Sequence, residues 1–419
     1  MASKIALLQI NPVVGDISGN ASLISDFAEQ ASRSGASLAV TTELAISGYP
    51  PRDLLLQSDF VQSCNAAANS LKSSIPILVG TPVPSYGERS LPGNGVVRAG
   101  DSVREITRKQ LLPTYDVFDE ARYFEADERP GIARTIAGLD IGVTICEDAW
   151  QHCGATPNDY DSDPIAQIVE WGRQGVVLDA TVNLSASPYH ANKSGIRLAV
   201  ARSAAASLNH PFLLANQVGG NDDLLFDGRS VIAWPDGTAV VAPAWVEGVL
   251  IADLSNPGNC IWLGEGELTI LSPTQEIIDD DDDLLDAIII GLSDYCRKSG
   301  ISKIVLGLSG GIDSALAACI ASAAVGATNV TGISMPSRHS SQHSIDDARS
   351  TAETLGIEFS LQPIMDLHDA ADSALADILA NGNPVAGENL QARLRGLIVM
   401  AHANANGAIV VFWSEGDLC

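Results

Sequence analysis

Residues 142–150 read G-V-T-I-C-E-D-A-W. The apolar and β-branched run 141–145 predicts a buried strand, and this strand ends at Cys146. A thiol at the end of a buried strand is held on a rigid element and still faces the turn that follows it. Such a position suits a nucleophile, so Cys146 is a candidate catalytic residue.

Similar apolar runs on both sides of this stretch alternate with segments of helical character. Together they predict an α/β fold in which sheets and helices form layers. The region 216–270 changes to short strands separated by Gly, Asp and Pro turns, and we interpret it as the β-rich closing edge of the same domain. The predicted strands are 4–10, 38–42, 75–80, 95–98, 141–145 and 176–183, and the predicted helices are 22–34, 164–174 and 195–208.

A second domain is predicted after residues 265–280. A helical stretch at 276–298 leads into a buried-strand pattern at 303–307. The five consecutive aspartates at 279–283 cannot all converge on one metal ion, so we interpret them as a solvated linker or helix start rather than a metal site.

Composition limits the function classes. The chain has 419 residues, of which 46% are hydrophobic and 18% are charged, and a length of this size predicts two or three domains. Its net charge of −27 disfavours binding of a nucleic-acid polymer but leaves nucleotide binding open. No apolar run is long enough for a membrane helix, and no signal-peptide layout precedes residue 4. Seven scattered cysteines indicate free thiols and a cytoplasmic location.

Two other strand ends carry polar residues that can assist catalysis by Cys146. Glu43 follows the run 38–42, and Lys109 follows residues 103–108. Strand ends converge on one side of an α/β sheet, so the three side chains can meet. Glu43 would then be the general base, Lys109 would stabilise an oxyanion and Cys146 would form an acyl-enzyme. Each residue taken alone is more often a buried small side chain or a solvated charge, and spacing alone does not decide.

A glycine-rich loop opens the second domain. Residues 306–314 read L-G-L-S-G-G-I-D-S, after a buried strand and before the Ala-rich segment 315–324. Adjacent glycines let backbone N–H groups approach a phosphate, and the start of a helix adds a favourable field. The loop lacks the Gly-Lys-Ser/Thr ending of a Walker A sequence, and a bare match of this kind is weak.

The sequence segments around Glu43, Lys109 and Cys146 resemble those of one family. Those around Glu43, Lys109 and Cys146, together with N-L-S-A-S-P-Y-H at 183–190 and A-N-Q-V-G-G at 215–220, resemble the nitrilase superfamily and, more narrowly, the glutaminase domain of glutamine-dependent NAD synthetases. The resemblance covers residues 1–265 and implies an αββα sandwich with Glu43, Lys109 and Cys146 as its triad. It also implies that glutamine is held by Tyr115, Glu147, Ser187 and Lys193. Either Glu120 or Glu125 matches the further acidic residue of nitrilase sites, and the sequence does not choose between them.

The loop 306–314 resembles the SGGxDS loop of ATP pyrophosphatases. This implies a Rossmann-like domain with a parallel sheet at 285–419, joined to 1–265 by an acidic linker at 266–284. The implied ATP-binding residues are Gly307, Leu308, Ser309, Gly310, Gly311, Ile312, Asp313 and Ser314. Asn389, in E-N-L-Q-A-R at 388–393, matches a deamido-NAD contact, whereas Gln391 and Arg393 are equally consistent with helix surface.

Together, the two resemblances imply a ligase that frees ammonia from glutamine and uses it to amidate AMP-activated deamido-NAD. ATP and Mg²⁺ are the expected co-substrate and metal, with no tightly bound prosthetic group. The implied partners are small molecules, with neither nucleic-acid polymer nor membrane, and a homo-oligomer is expected.

After residue 411 the chain departs from the family pattern and ends at Cys419. We therefore expect an incomplete synthetase domain that retains glutaminase activity and has little or no synthetase activity. The alternatives are a stand-alone amidase of the nitrilase type and an inactive truncated subunit.

Overall fold

The first strand shows how the sequence sets the layers of the N-terminal part. In Lys4–Gln9, Ile5 and Leu7 belong to one apolar core, whereas Ala6 and Leu8 belong to another. Side chains of a strand point alternately to the two faces of its sheet, so a strand that is apolar at every position is buried on both faces. This strand therefore lies in the middle of a layered structure.

The computed structural model describes residues 4–85, 91–128, 130–157, 159–277, 281–338, 340–380 and 385–412. The chain divides into two compact units, Met1–Ala287 and Ile288–Cys419. None of the helices in the described ranges combines the length and the apolar character needed to cross a lipid bilayer.

The first unit contains sixteen strands and five complete helices within its described residues. The strands are β1 Lys4–Gln9, β2 Leu38–Val40, β3 Ile77–Val83, β4 Gly93–Ala99, β5 Arg104–Arg108, β6 Gly131–Ile136, β7 Leu139–Ile145, β8 Ala180–Ser185, β9 Phe212–Asn216, β10 Val218–Asn221, β11 Leu224–Asp227, β12 Val231–Ala233, β13 Ala239–Val241, β14 Gly248–Asp253, β15 Cys260–Gly264 and β16 Glu267–Leu271. The helices are α1 Ile17–Arg33, α2 Ser58–Ser70, α3 Glu120–Tyr123, α4 Pro164–Arg173 and α5 Lys193–Leu208, and α6 Asp281–Lys298 begins in this unit.

Two large sheets of the first unit pack face to face. Their strand orders are β16-β15-β14-β1-β2-β3-β4-β5 and β13-β12-β9-β8-β7-β6. Apolar residues from both sheets form the central core, exemplified by Ile5 and Val143. Residues of α1 and α2 cover the outer face of the first sheet, and residues of α4 and α5 cover that of the second. The predicted αββα sandwich is confirmed.

The second unit is a parallel sheet with helices on both faces. Its strands are β17 Ile304–Gly307, β18 Val330–Ser334, β19 Glu358–Leu361 and β20 Ile409–Val411, and its further helices are α7 Ile312–Val325, α8 Gln342–Leu355, α9 Met365–Ala374, α10 Ala376–Ala380 and α11 Val385–Asn406. The strand order is β19-β18-β17-β20, and all pairs are parallel. Neighbouring residues Leu306 and Val305 belong to separate cores on the two faces. The predicted Rossmann-like parallel sheet is confirmed.

The segment 266–284 differs from the predicted acidic linker. Its start forms β16, which pairs with the edge strand β15, and its end forms the first turn of α6. Asp283 is not a solvated charge, because its carboxylate lies 2.5 Å from Arg229 Nη2 and its side chain is only 13% exposed. The alternating pattern of β16 is too short to be recognised without its partner strand, and the Asp283 contact joins residues far apart in sequence. Asp279 and Asp280, which belong to the same acidic run, lie outside the described residues.

Candidate functional site

Three strand ends of the first unit supply the predicted triad. Lys109 directly follows β5, Cys146 directly follows β7, and Glu43 lies three residues after β2. The side chains of Glu43 and Lys109 are completely buried, and Cys146 is 6% exposed. The two sheets thus bring Glu43 and Lys109, which are 66 positions apart in sequence, into one buried site, and both charges act on the thiol of Cys146.

Lys109 is the centre of a buried ionic cluster. Its Nζ lies 2.8 Å from Glu43 Oε1, 2.8 Å from Glu120 Oε2 and 2.9 Å from Glu120 Oε1. Burial alone lowers the pKa of an ammonium group, but the charges of Glu120 and Glu43 outweigh it and raise the pKa of Lys109 well above its usual value. The two carboxylates therefore favour the charged form of Lys109, and Glu120, rather than Glu125, is the second carboxylate beside it.

Neighbouring groups hold both carboxylates in place. Glu43 accepts hydrogen bonds from Asn94 Nδ2 at 2.7 Å and from the backbone N–H of Ala186 at 3.1 Å. Glu120 accepts one from the Tyr49 hydroxyl at 2.8 Å. Burial raises the pKa of Glu120 to about 7, although Lys109 lowers it. The cluster thus fixes the direction of the lysine ammonium.

Cys146 sits on a strained backbone. Its φ is +43°, a left-handed conformation that non-glycine residues rarely adopt and that is concentrated at functional sites. Burial, followed by the charge of Glu43, raises the pKa of its thiol well above the usual value, while Lys109 lowers it. These surroundings therefore disfavour the thiolate form of Cys146. Attack on an amide then requires a base to take its proton, and Glu43 is close enough to influence that proton.

The four predicted glutamine-binding residues flank this site. Glu147 is 4% exposed, and its Oε1 accepts hydrogen bonds from the hydroxyls of Tyr115 at 2.7 Å and Tyr160 at 3.1 Å. Lys193 Nζ lies 4.5 Å from the centroid of the Trp150 ring. Burial, with a smaller contribution from Arg197, lowers the pKa of Lys193.

A cavity of about 410 Å³ opens beside these residues, and its lining includes Tyr115, Trp150 and Lys193. Within the described part of the chain, Glu147, Ser187 and Cys146 do not belong to that lining. Ser187 is 2% exposed, and its backbone N–H donates to Asn216 Oδ1 at 2.9 Å. The cavity lining therefore includes the ammonium group of Lys193, whereas Glu147 lies outside the lining and accepts a hydrogen bond from Tyr115, which belongs to it.

The glycine-rich loop of the second unit forms a turn that is closed by its own serine side chains. Ser309 Oγ accepts from the N–H of Gly311 at 3.1 Å and lies 3.0 Å from Ser314 Oγ. Gly310 has a φ of +82°, and a Cβ built on it would lie 2.3 Å from the carbonyl oxygen of Ser344. Glycine is therefore required at residue 310 both by conformation and by space.

A cavity of about 490 Å³ lies at the carboxyl ends of β17 and β20. The strand order reverses between these two strands, and open α/β sheets bind ligands at such a switch point. Five of the eight predicted ATP-binding residues line it, namely Gly307, Leu308, Ser309, Asp313 and Ser314. Gly310, Gly311 and Ile312 shape the turn behind them, and Ile312 is 80% exposed.

Asn389 lies on α11, one turn before Ala392, which lines the same cavity. Positions three residues apart share one helix face. Asn389 itself is exposed and is outside the cavity lining described here, which includes Arg395 and Gly396 from the same helix.

A group of three possible metal ligands lies elsewhere in the second unit. One ligand atom each from His368, Asp369 and Asp372 lies within 4.8 Å of the others. Arg338 Nη2 donates to Asp369 at 3.1 Å and lies 3.1 Å from His368 Nδ1. Since a guanidinium already compensates these carboxylates, the cluster fits an ion pair better than a cation site.

Several site residues had no signal in the sequence. Tyr49, Asn94 and Tyr160 come from three separate segments and contribute one hydrogen bond each to the buried carboxylates. A single tyrosine or asparagine in a strand or loop has no distinctive spacing. Only the fold shows that these side chains face the acidic residues.

Comparison with known proteins gives two family matches. The Carbon-nitrogen hydrolase family matches residues 4–257, and the NAD synthase family matches residues 284–415. The amidase of Nesterenkonia sp. AN1 shares the fold of the first part at 22% identity, with a TM-score of 0.50 over 60% of this chain and 93% of that one.

Relatives that match nearly the whole chain include a curated protein and a solved structure. The glutamine-dependent NAD(+) synthetase of Synechocystis sp. is 40% identical over 97% of this chain and 73% of its own length. The structure of glutamine-dependent NAD+ synthetase from Acinetobacter baumannii, in complex with adenosine diphosphate, is 30% identical, with a TM-score of 0.83 over 97% of this chain and 74% of that one.

Proposed function

The chain belongs to the glutamine-dependent NAD(+) synthetases, and on this premise we propose that it couples glutamine hydrolysis at Cys146 to amidation of deamido-NAD. This proposal replaces the expectation of little or no synthetase activity, because the relatives that match 97% of the chain are glutamine-dependent NAD(+) synthetases. The observation that carries the proposal is the buried cluster of Lys109 between Glu43 and Glu120, next to a cysteine on strained backbone. We assign glutamine hydrolysis to residues 1–265 and the ATP-using synthetase reaction to residues 285–419.

In the first half-reaction, Glu43 takes the proton of the Cys146 thiol, and the sulfur attacks the side-chain amide carbon of glutamine. Lys109 donates to the oxyanion of the tetrahedral intermediate, and a proton passes to the departing nitrogen, which leaves as ammonia. Water activated by Glu43 then hydrolyses the thioester and releases glutamate. Glu120 keeps Lys109 charged and oriented throughout.

The neighbouring residues recognise glutamine as an amino acid. Lys193, beside the Trp150 ring, pairs with the α-carboxylate. Glu147, oriented by two phenol hydroxyls, accepts from the α-ammonium group. Tyr115 and Ser187 complete the contacts with the substrate. This set selects an amide that carries a free amino-acid group over a simple amide.

In the second half-reaction, the loop Gly307 to Ser314 holds the phosphates of ATP while the nicotinate carboxylate of deamido-NAD takes AMP and releases pyrophosphate. Ammonia then displaces AMP and forms the amide of NAD. The Asp313 carboxylate and the Ser309 and Ser314 hydroxyls are the oxygen ligands that would hold Mg²⁺, which would neutralise the charge of the phosphates. We assign Asn389 to deamido-NAD, and its position one turn before the lining residue Ala392 on α11 supports this assignment.

Two broader properties belong to the same proposal. Free thiols at Cys64, Cys146, Cys153, Cys260, Cys296 and Cys319 favour a reducing, cytoplasmic environment. Leu268 and Ile270 of the edge strand β16 are 56% and 67% exposed, which favours pairing with another copy in a homo-oligomer. A stand-alone amidase would leave the loop at residues 307–314 without a purpose.

Replacement of the nucleophile tests the function. Cys146→Ala should abolish glutamine hydrolysis and glutamine-dependent NAD formation, measured as glutamate and NAD release, while NAD formation from added ammonium chloride continues. Cys64→Ala is the matched control, because Cys64 is also a buried cysteine but lies on α2, in the core that α1 and α2 form with the first sheet. Glutamine hydrolysis by Cys146→Ala at the rate of the unsubstituted chain would refute the proposed role.

A further inference from the structure

The carboxylate of Asp148 receives three backbone N–H groups from two different strand ends. Its Oδ1 accepts from Gln110 at 3.0 Å and from Leu111 at 2.9 Å, and its Oδ2 accepts from Ile145 at 3.0 Å. The side chain is only 2% exposed. One buried anion thus satisfies donors from segments that are more than thirty residues apart in sequence.

These donors are next to two residues of the proposed triad. Gln110 and Leu111 directly follow Lys109, and Ile145 directly precedes Cys146. Asp148 therefore joins the end of β5 to the end of β7 through backbone contacts. It fixes the relative position of the lysine and the cysteine without contacting either side chain.

The strained turn after β7 is held by the hydrogen bond between Ile145 and Asp148. Cys146 has a φ of +43°, and strain of this kind persists only where the surrounding structure enforces it. The bond from Ile145 N–H to Asp148 closes the turn that contains Cys146. The direction of the Cys146 sulfur is consequently set by the same carboxylate that anchors the segment after Lys109.

Three convergent donors fit an acceptor that has two oxygens. A carboxylate accepts at both oxygens, whereas the amide of asparagine would present its NH₂ group to a backbone N–H. Burial raises the pKa of Asp148 to about 7, against the lowering effect of the Leu111 and Ile145 N–H groups. Placing an acid in such a buried position opposes folding unless its hydrogen bonds are made.

We propose that Asp148 is a positioning residue for amide hydrolysis, which holds the Cys146 sulfur and the Lys109 ammonium at their working separation by binding the backbone of both segments. The inference rests on the proposed glutaminase function. It adds a role for a residue that contacts neither glutamine nor the reacting atoms.

Asp148→Asn tests the inference by kinetics. We expect kcat for glutamine hydrolysis to fall about 100-fold, because a displacement of reacting groups by about 1 Å has an effect of that size. KM should change little, since Tyr115 and Lys193 keep their positions. Asp148→Glu, which keeps the charge but adds a methylene, should also lose most of kcat, and it decides the matter if Asp148→Asn does not fold.

The pH profile of Cys146 alkylation by iodoacetamide, followed by peptide mass spectrometry, separates positioning from stability. The largest effects on this thiol, after burial, come from Glu43 and Lys109. A shifted profile in Asp148→Asn therefore reports displacement of those groups. Asp16→Ala is the control: Asp16 accepts from Gly19 N–H at 2.9 Å as the N-cap of α1, away from the triad, and its loss should leave both profile and kcat unchanged.

The outcomes are distinct. A folded Asp148→Asn or Asp148→Glu variant with an unchanged alkylation profile and full kcat would overturn the inference, even if its melting temperature fell. If the unsubstituted chain did not hydrolyse glutamine, the proposed function would fail instead. The alkylation profile would still measure the effect of Asp148 on Cys146, because alkylation needs no glutamine.

Discussion

Lys109 Nζ lies 2.8 Å from Glu43 Oε1, and neither side chain is exposed to solvent. Two unlike charges that are both fully buried are stable only because hydrogen bonds also satisfy their remaining polar atoms. Glu43 can therefore remain buried as a carboxylate only while Lys109 is beside it. Chemistry and stability are linked in this pair.

Lys109→Met should lower both the stability of the first unit and its rate of glutamine hydrolysis. It leaves Glu43 and Glu120 buried without their shared cation, and breaking a buried ion pair in this way costs about 3–5 kcal/mol of unfolding free energy. Loss of the oxyanion donor should also reduce kcat about 100-fold or more. Urea unfolding and glutamate release measure the two effects. Lys72→Met, at an exposed position, should change neither. A fully active Lys109→Met variant would contradict the assigned role.

Tyr115→Phe should weaken glutamine binding. The variant removes the hydroxyl that donates to Glu147 Oε1 at 2.7 Å, so the carboxylate loses its orientation. A lost hydrogen bond to a charged group corresponds to about a 10-fold rise in KM, with a smaller change in kcat. Steady-state kinetics with glutamine gives both constants. Tyr295→Phe, which alters a tyrosine that is 53% exposed, provides the comparison. An unchanged KM in Tyr115→Phe would place glutamine elsewhere.

Gly310→Ala should abolish ATP binding and leave glutamine hydrolysis intact. The added methyl group would lie 2.3 Å from Ser344 O, and the φ of +82° disfavours alanine, so the loop must move. Titration calorimetry with ATP measures the loss. Gly387→Ala is the control, because its Cβ would meet nothing within 4 Å and alanine is favoured in helix α11. ATP binding of normal strength by Gly310→Ala would exclude this loop as the phosphate site.

His210 should make the first unit sensitive to acid. Burial lowers its pKa from 6.5 to about 4, and its Nε2 lies 2.8 Å from Thr181 Oγ1. The folded state thus favours the neutral imidazole. Its contribution to stability is complete above pH 6.5, where the unfolded histidine is also neutral, and is lost as pH falls toward 4.

This effect is measured as a difference in unfolding free energy between the unsubstituted chain and a variant that lacks His210. Between pH 6.5 and 4, the unfolding free energy should fall by about 2 kcal/mol more for the unsubstituted chain than for His210→Asn, allowing for the partial exposure of the ring. His343→Asn, at a side chain that is 84% exposed, should retain the full fall. Parallel curves for the unsubstituted chain and His210→Asn would show that His210 does not titrate in this range.

The sequence predicts the layers of this protein well because a buried strand can be recognised from a short apolar stretch of sequence. Residues 141–145 and 303–307 are short, apolar and β-branched, and the structure has strands at Leu139–Ile145 and Ile304–Gly307. The contacts that complete the site are different in kind. Whether Glu120 or Glu125 faces Lys109 depends on the path of one short segment, and neither residue carries a periodic signal. The structure places Glu120 there in the four-residue helix α3.

Long-range ion pairs are similarly invisible in the sequence. Asp283 belongs to an acidic run whose charge pattern favours solvent, yet it is bound by Arg229. The pair forms because the first turn of α6 lies beside the loop after β11, and only tertiary structure brings them together. Local pattern predicts which residues are buried, whereas the partners of buried charges follow from topology.

The most direct test of the central claim is the covalent state of Cys146 during turnover. The chain is mixed with glutamine, quenched in acid within one turnover and digested for peptide mass spectrometry. The account predicts a glutamyl thioester on the peptide that contains Cys146 and on no other cysteine, and none in Lys109→Met at the same time point. Glutamate release without any acylated Cys146, or acylation of a different residue, would contradict it.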